Sequence, residues 1–213
     1  MSKRKRTSNK DDPSPKRRSI KNLEREIGER AYKKALKYSM VKDLEKAVRL
    51  YQQAADCGHL KAMTNLAFCY KKGEGVKKDL TKAVGLFQQA ADGGHLGAKN
   101  NLAFCYEYGE GVEKDQTKAI GLYKRSAELG DLYAKITLAV CYQKGEGVEK
   151  DLAKAVGLFQ QSADGGHHYA MISLAVCYQK GEGVEKDLKR AVGLYKQAAD
   201  RGHLNSIYNL AIC

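Results

Sequence analysis

One block of 36 residues is written four times along this chain, and a fifth copy begins. The blocks run 59–94, 95–130, 131–166 and 167–202 without a gap, and 203–213 opens the next. Gly-Glu-Gly-Val recurs at 73–76, 109–112, 145–148 and 181–184. Five of the six cysteines, Cys69, Cys105, Cys141, Cys177 and Cys213, stand 36 apart. A fixed period of this size specifies a stacked array of small units, each burying its flanks against its neighbours. It argues against a single globular core around one buried active site, and so points to binding rather than catalysis.

Charge divides the chain unevenly. The net charge is +13, but nine Lys/Arg against Asp11 and Asp12 give residues 1–22 a charge of +7, leaving +6 for the other 191. The basicity therefore belongs mostly to a tail, which weakens a nucleic-acid role for the protein as a whole. No stretch approaches the roughly 20 apolar residues that span a bilayer. The first 22 residues carry charge without the apolar core of a secretory signal, so the expected setting is nuclear or cytoplasmic, with reduced cysteines. Packing agrees. Equivalent positions of stacked helices lie roughly 8–10 Å apart, beyond the roughly 7 Å Cα separation a disulfide tolerates. The cysteine ladder suits neither bridges nor a shared metal.

Three regions follow. Residues 1–22 hold both prolines and almost no large apolar side chains, and are read as a disordered basic tail. Residues 23–58 are read as an irregular capping helix, with Leu23, Ile27, Ala31 and Ala35 at steps of four, followed by a first second-type helix. Residues 59–213 are the repeats.

Each repeat predicts two helices and no strand. The first runs from His59 to about Lys72, with Ala62, Leu66, Cys69 and Tyr70 on one face. Gly73 supplies a left-handed terminus, Gly75 keeps the loop tight, and Val76 plugs it. Asp79 caps a second helix that runs to about Asp92 and buries Ala83, Leu86, Phe87, Ala90 and Ala91. Gly93-Gly94 turns the chain into the next copy. Such short loops force antiparallel neighbours. The last copy stops at Cys213, inside a first helix, which would leave its flank uncovered.

The string Ala-x-x-Asn-Leu-Ala-x-Cys-Tyr-x-x-Gly-Glu-Gly-Val-x-Lys-Asp-x-x-Lys-Ala-x-x-Leu, at 62–86 and again in later copies, resembles the Sel1-like repeat, a relative of the tetratricopeptide repeat. The family pattern falls on Ala67, Tyr70, Gly73, Gly75, Val76, Asp79, Lys82, Ala83, Phe87, Ala90 and Ala91, with Ala67 where many members have glycine. The resemblance covers residues 43–213. It implies an all-α, right-handed α/α superhelical solenoid with an adaptor or scaffold role. Some bacterial members bridge their helices with two cysteines per repeat; this chain has one. Members that serve in endoplasmic-reticulum degradation carry secretory signals; residues 1–22 show no such pattern, so that role is not expected here.

Few motifs suggest chemistry. Ser39-Met-Val-Lys42 fits Ser-x-x-Lys but lacks its companion motifs. Gly-Glu-Gly-Val follows a helix and lacks the Lys-Ser/Thr of a phosphate loop. No cluster of titratable residues converges, so the chain is read as a non-enzyme without cofactor or metal. His59, His95, His167 and His203 open successive repeats, with Asp131 in the same column, which suits helix capping better than metal binding.

Two candidate sites remain. Lys3-Arg4 and Lys16-Arg17-Arg18, eleven residues apart, resemble a bipartite nuclear import signal, two positive clusters for two acidic pockets of an import receptor. Ser14-Pro15 lies between them, and a phosphate there would weaken that contact. The second candidate is a groove. Columns that vary between copies are positions that stacking does not dictate. These are 61/97/133/169/205 and 64/100/136/172/208; with the polar column 65/101/137/173/209 they face away from Ala62, Leu66 and Cys69 by 100° steps, and Phe68, Phe104, Val140, Val176 and Ile212 share that side. Tyr133, Tyr169, Asn65, Asn101 and Asn209 are read as a concave surface that grips a peptide or helix, the aromatics giving area and the amides holding its backbone. Phe68 and Phe104 are read as helix-to-helix packing. The predicted function is a protein-binding scaffold with protein partners and no membrane. The alternative is a nucleic-acid-associated factor that uses the basic tail, with strongly salt-dependent binding.

Overall fold

The computed structural model describes residues 15–201, with side chains from Arg17 onward. Among these residues the chain is all-α, with ten helices and no strand, as the repeat pattern predicts. The helices are α1 (Pro15–Met40), α2 (Leu44–Asp56), α3 (Leu60–Lys72), α4 (Leu80–Asp92), α5 (Leu96–Tyr108), α6 (Gln116–Glu128), α7 (Leu132–Lys144), α8 (Leu152–Asp164), α9 (His168–Lys180) and α10 (Leu188–Asp200). They form two compact units, one ending at Asp79 and the other beginning at Leu80.

The same local chemistry sets every boundary. First-type helices end at Gly73, Gly109, Gly145 and Gly181, each left-handed at φ 72–77°, each donating its N–H to the cysteine carbonyl four residues back. They begin on a side-chain cap. The Nδ1 of His59 accepts from Ala62 N, His95 from Ala98 N, and Asp131 takes the same seat with a 2.8 Å bond from Ala134 N. His167 occupies the cap position without that bond; burial and the neighbouring His168 lower its pKa against the opposing pull of Asp131. Second-type helices begin on Asp43, Asp115, Asp151 and Asp187, whose carboxylates accept from the N–H three residues on. Such caps satisfy backbone donors that have no partner inside the helix.

In the first unit, Ala31, Ala35, Ala47, Tyr51, Ala54 and Leu66 form the core. Tyr32 stacks on His59 at 4.3 Å and lies 6.1 Å from Tyr51. His59 spans two elements: its Nδ1 caps α3, while its Nε2 donates to Glu29 of α1 at 3.1 Å. That bond, with Lys33 beside it, holds the Glu29 carboxyl below its ordinary pKa.

In the second unit, α5 packs on α6, α7 on α8 and α9 on α10, while α4–α5, α6–α7 and α8–α9 join consecutive hairpins. Alanines at the contacts let the helices approach closely. Ala98, Ala103, Ala119, Ala134, Ala139 and Ala170 are fully buried, with Phe87, Tyr123, Phe159 and Tyr195 as the large filling side chains. Val148 and Val184 of the loops pack onto these cores, as expected for their column. Leu86, expected within the buried stripe, is only half-buried. Cys69, Cys105, Cys141 and Cys177 are buried, and burial pushes the Cys141 thiol up to about 11. Thiolates of that kind are scarce at neutral pH, so these cysteines serve packing.

The beginning of α1 departs from expectation. The helix starts at Pro15, eight residues before Leu23, so residues 15–22 are helical and do not belong to a disordered tail. Proline at a first helical position loses no hydrogen bond, and the Lys/Arg that follow are good helix formers. The rest of the proposed tail, residues 1–14, lies outside the described residues.

Candidate functional site

Tyr133 and Tyr169 occupy the same place in two successive hairpins, the second residue of α7 and of α9. Both are more than half exposed, at 57% and 55%. Their helices run away from the tight turn that precedes them, so the rings stand at the rim where each hairpin begins. Tyr169 lies 4.5 Å from the His168 ring and 6.0 Å from that of His167, which makes an aromatic cluster at the start of α9. In the other described copies the column holds Lys61 and Gly97.

The polar column behaves differently. The Nδ2 of Asn101 donates to Gly97 O at 2.6 Å, one turn back in its own helix, and Thr137 Oγ1 donates to Tyr133 O at 3.2 Å. Asn65 is half-buried and bonds to Tyr32 within the first unit. Amides expected to hold a ligand backbone are thus already engaged by the fold. Asn209 lies outside the described residues.

The 64/100/136/172 column needs correction. It was expected to face away from the core, yet Thr64 and Asn100 are buried and Ile136 and Ile172 pack onto the core of the last two hairpins. Thr64 Oγ1 donates to Leu60 O. Asn100 Nδ2 donates to Asp131 Oδ1 at 2.9 Å, tying α5 to the cap of α7. Val140 and Val176 pack onto the same core, and Phe104 rests against Tyr108 at 4.4 Å.

Of the basic clusters, Lys3 and Arg4 lie outside the described residues, and the backbone at Lys16 is helical. Arg17 and Arg18 are exposed on the first turns of α1. An import receptor that reads extended chain must unwind that turn to reach them.

One arrangement escaped the sequence reading. At the three junctions α5–α6, α7–α8 and α9–α10, a cation lies over a tyrosine and pairs with the capping aspartate. Lys118 Nζ is 5.3 Å from the Tyr106 ring and 3.2 Å from Asp115; Lys154 is 5.5 Å from Tyr142 and 2.8 Å from Asp151. Arg190 is 5.4 Å from Tyr178, bonds its hydroxyl at 3.1 Å and pairs with Asp187 at 3.4 Å. The backbone N–H of Lys118 and then its ammonium lower the pKa of Asp115, the Lys154 ammonium and then its backbone N–H lower that of Asp151, and the carboxylates raise that of Lys118 and Lys154. The signal was the spacing Tyr-x8-Asp-x2-Lys/Arg at 106/115/118, 142/151/154 and 178/187/190. Shallow cavities of about 460 Å³ beside Tyr142 and about 780 Å³ beside Tyr178 open here, one walled in part by the Asp151–Lys154 pair and the other by Asp187–Arg190. The geometry is that of a clamp closing these three hairpins. Among the described residues no group of His, Cys, Asp and Glu could hold a metal, and no helix is long and apolar enough to cross a membrane.

The Sel1 repeat family model matches residues 31–59, 60–95, 97–131, 133–167 and 168–203. A search of curated proteins finds no match. Among solved structures, the chain is similar to a Sel1 repeat protein from Oxalobacter formigenes, with 30% identity and a TM-score of 0.74 over 92% of this chain and 79% of that one. It is also similar to a protective antigen of uropathogenic Escherichia coli strains, with 29% identity and a TM-score of 0.78 over 86% of this chain. This chain spans 40% of the length of that antigen. An immunity protein from Pseudomonas aeruginosa, at 22% identity and a TM-score of 0.60 over 84% of this chain and 67% of that one, shares the fold. Sel1 repeat proteins generally mediate protein–protein interactions and are typically non-catalytic scaffolds. With five matched copies, left-handed glycines at the same place in four of them and a structural relative that is itself a Sel1 repeat protein, this chain belongs to the Sel1 repeat family.

Proposed function

We propose that the chain is a non-catalytic scaffold that captures a peptide or helix of a protein partner against Tyr133 and Tyr169. One observation carries this reading: two large aromatic rings stand exposed at the same place in neighbouring hairpins, while the aromatics Phe87, Tyr123, Phe159 and Tyr195 are buried. Exposed tyrosines give a partner much contact area at a small cost in side-chain entropy. Asn101 and Asn65 spend hydrogen bonds on the fold, so recognition falls mainly to the rings. Replacing both tyrosines by alanine should leave helicity unchanged and stability within about 0.5 kcal/mol, since neither ring fills the core. Affinity capture from cell extract should lose its protein partners by about tenfold or more. Undiminished capture by Tyr133→Ala/Tyr169→Ala would remove the reading.

A nuclear address is inferred from the two basic clusters. A fluorescent fusion of the full chain should accumulate in nuclei and spread to the cytoplasm when Lys16, Arg17 and Arg18 are replaced by alanine. An unchanged distribution would leave the clusters without that role.

A further inference from the structure

The first helix is twice the length of its partner, 26 residues against 13. The contact between them begins at Gly28, where an added Cβ would stand 3.0 Å from Cys57 Cβ, and continues through buried Ala31 and Ala35. Upstream of Gly28, every residue from Arg17 to Ile27 is exposed. Three of these are large and apolar: Ile20, Leu23 and Ile27, exposed by 57%, 59% and 39%. Steps of three and four place them on one stripe, about 10 Å long at 1.5 Å per residue. Arg17, Arg18, Lys21 and Arg25 share this stretch with only two acids, Glu24 and Glu26. A helix projecting without tertiary contact is marginal in water, and a bound partner would stabilise it.

The chemistry of the stripe limits what can cover it. Residues 1–14 hold no large apolar side chain beyond Met1, so they cannot fill it. A second copy pairing through the same face would set Arg17, Arg18, Lys21 and Arg25 against their duplicates, and like charges repel. An anionic bilayer would attract those four residues. It would also meet Glu24, four residues after Ile20 and three before Ile27, on the edge of the stripe, whose carboxylate an anionic surface repels. Three side chains are also a narrow face for insertion among lipids. A protein helix can set acids against the four cations and one cation against Glu24. We propose that the projecting half of α1 docks an amphipathic helix of a protein partner whose polar face is acidic, its apolar residues seated on Ile20, Leu23 and Ile27.

A synthetic amphipathic peptide with leucine at heptad positions a and d and glutamate at e and g serves as the probe, since its own charges discourage self-pairing. The full chain should bind the fluorescently labelled peptide, more weakly as salt is raised. The counterpart with lysine for glutamate should not bind. The exposed pair Ile20→Ser/Leu23→Ser should weaken binding about tenfold or more with no loss of ellipticity at 222 nm. Equal binding by that variant overturns the proposal, because it assigns the attraction to the charged tail alone. So does binding to phosphatidylcholine–phosphatidylserine vesicles with none to the peptide. A parent dimer in sedimentation that the variant abolishes assigns the stripe to self-association, which also overturns it.

Discussion

Replacing Gly111 by alanine is expected to destabilise the protein by about 3 kcal/mol or more, from two separate sources. The residue sits at φ +74°, and its added Cβ would lie 2.4 Å from the Leu80 carbonyl oxygen, 2.6 Å from the carbon and 2.8 Å from Leu80 Cβ. The obstacle is mostly backbone at the start of α4, which cannot swing aside. Its neighbour Gly109 gives the control. It has nearly the same φ, +72°, but an added Cβ would approach nothing nearer than Lys114 Cβ at 3.4 Å, with Lys114 N and Val112 O in ordinary contact at 3.6 and 3.7 Å. Gly109→Ala should therefore cost only the backbone term, about 1–2 kcal/mol. Gly147 falls between them, because the nearest atom is Gln116 Cγ at 2.5 Å, on a side chain able to move. Urea denaturation followed at 222 nm should rank the variants Gly111→Ala, Gly147→Ala, Gly109→Ala from least to most stable. Equal losses at 109 and 111 would mean that the loop does not press against the preceding second-type helix.

The opposite sign is expected for the glycines in the middle of the second helices. Gly85, Gly121, Gly157 and Gly193 have no atom within 4 Å of an added Cβ and none has positive φ. In α2 the same column holds Arg49, an exposed residue that the helix accommodates. Glycine inside a helix costs about 0.5–1 kcal/mol relative to alanine through the freedom it loses on folding. The four lie on separate helices, so the quadruple alanine variant should gain about 3 kcal/mol. For a chain of this size that raises Tm by about 6–12 °C. A midpoint that stays or falls would show that these positions need a bare backbone in the folded array.

Hairpin borders were legible because they depend on local chemistry. A left-handed glycine, a side-chain cap and a period of 3.6 act within a few residues, so α3 and α4 begin and end within one residue or so of the sequence reading. Histidines as caps were legible for the same reason, through their place directly after a helix-ending glycine. The 64/100/136/172 column misled because variation between copies was taken for freedom from packing. Threonine, asparagine and isoleucine have similar bulk, and each can fill the space between helices if its polar atoms find partners. Leu60 O serves Thr64, and Asp131 serves Asn100. Those partners lie on another turn or another hairpin, and no local pattern reveals them. The exposure of Tyr133 and Tyr169 followed from their position one step beyond the apolar stripe. The occupation of Asn101 by Gly97 O did not, because an amide near a helix start can turn inward or outward with the same sequence. The first turns of α1 were missed because composition was weighed over 22 residues, while helix formation at Pro15 depends on its own neighbours.

The contact of each loop glycine with the start of the preceding second-type helix has a genetic corollary. Gly111 meets Leu80, Gly147 meets Gln116 and Gly183 meets Leu152, each by the same reach of one repeat. Excising residues 131–166 would join Gly130 to His167 and seat Gly183 where Gly147 sat, with every kind of junction retained. Unequal recombination between copies can therefore lengthen or shorten such a protein by whole blocks without passing through an unfolded ancestor, whereas a slip of one residue would drive a side chain into the carbonyl that glycine leaves clear.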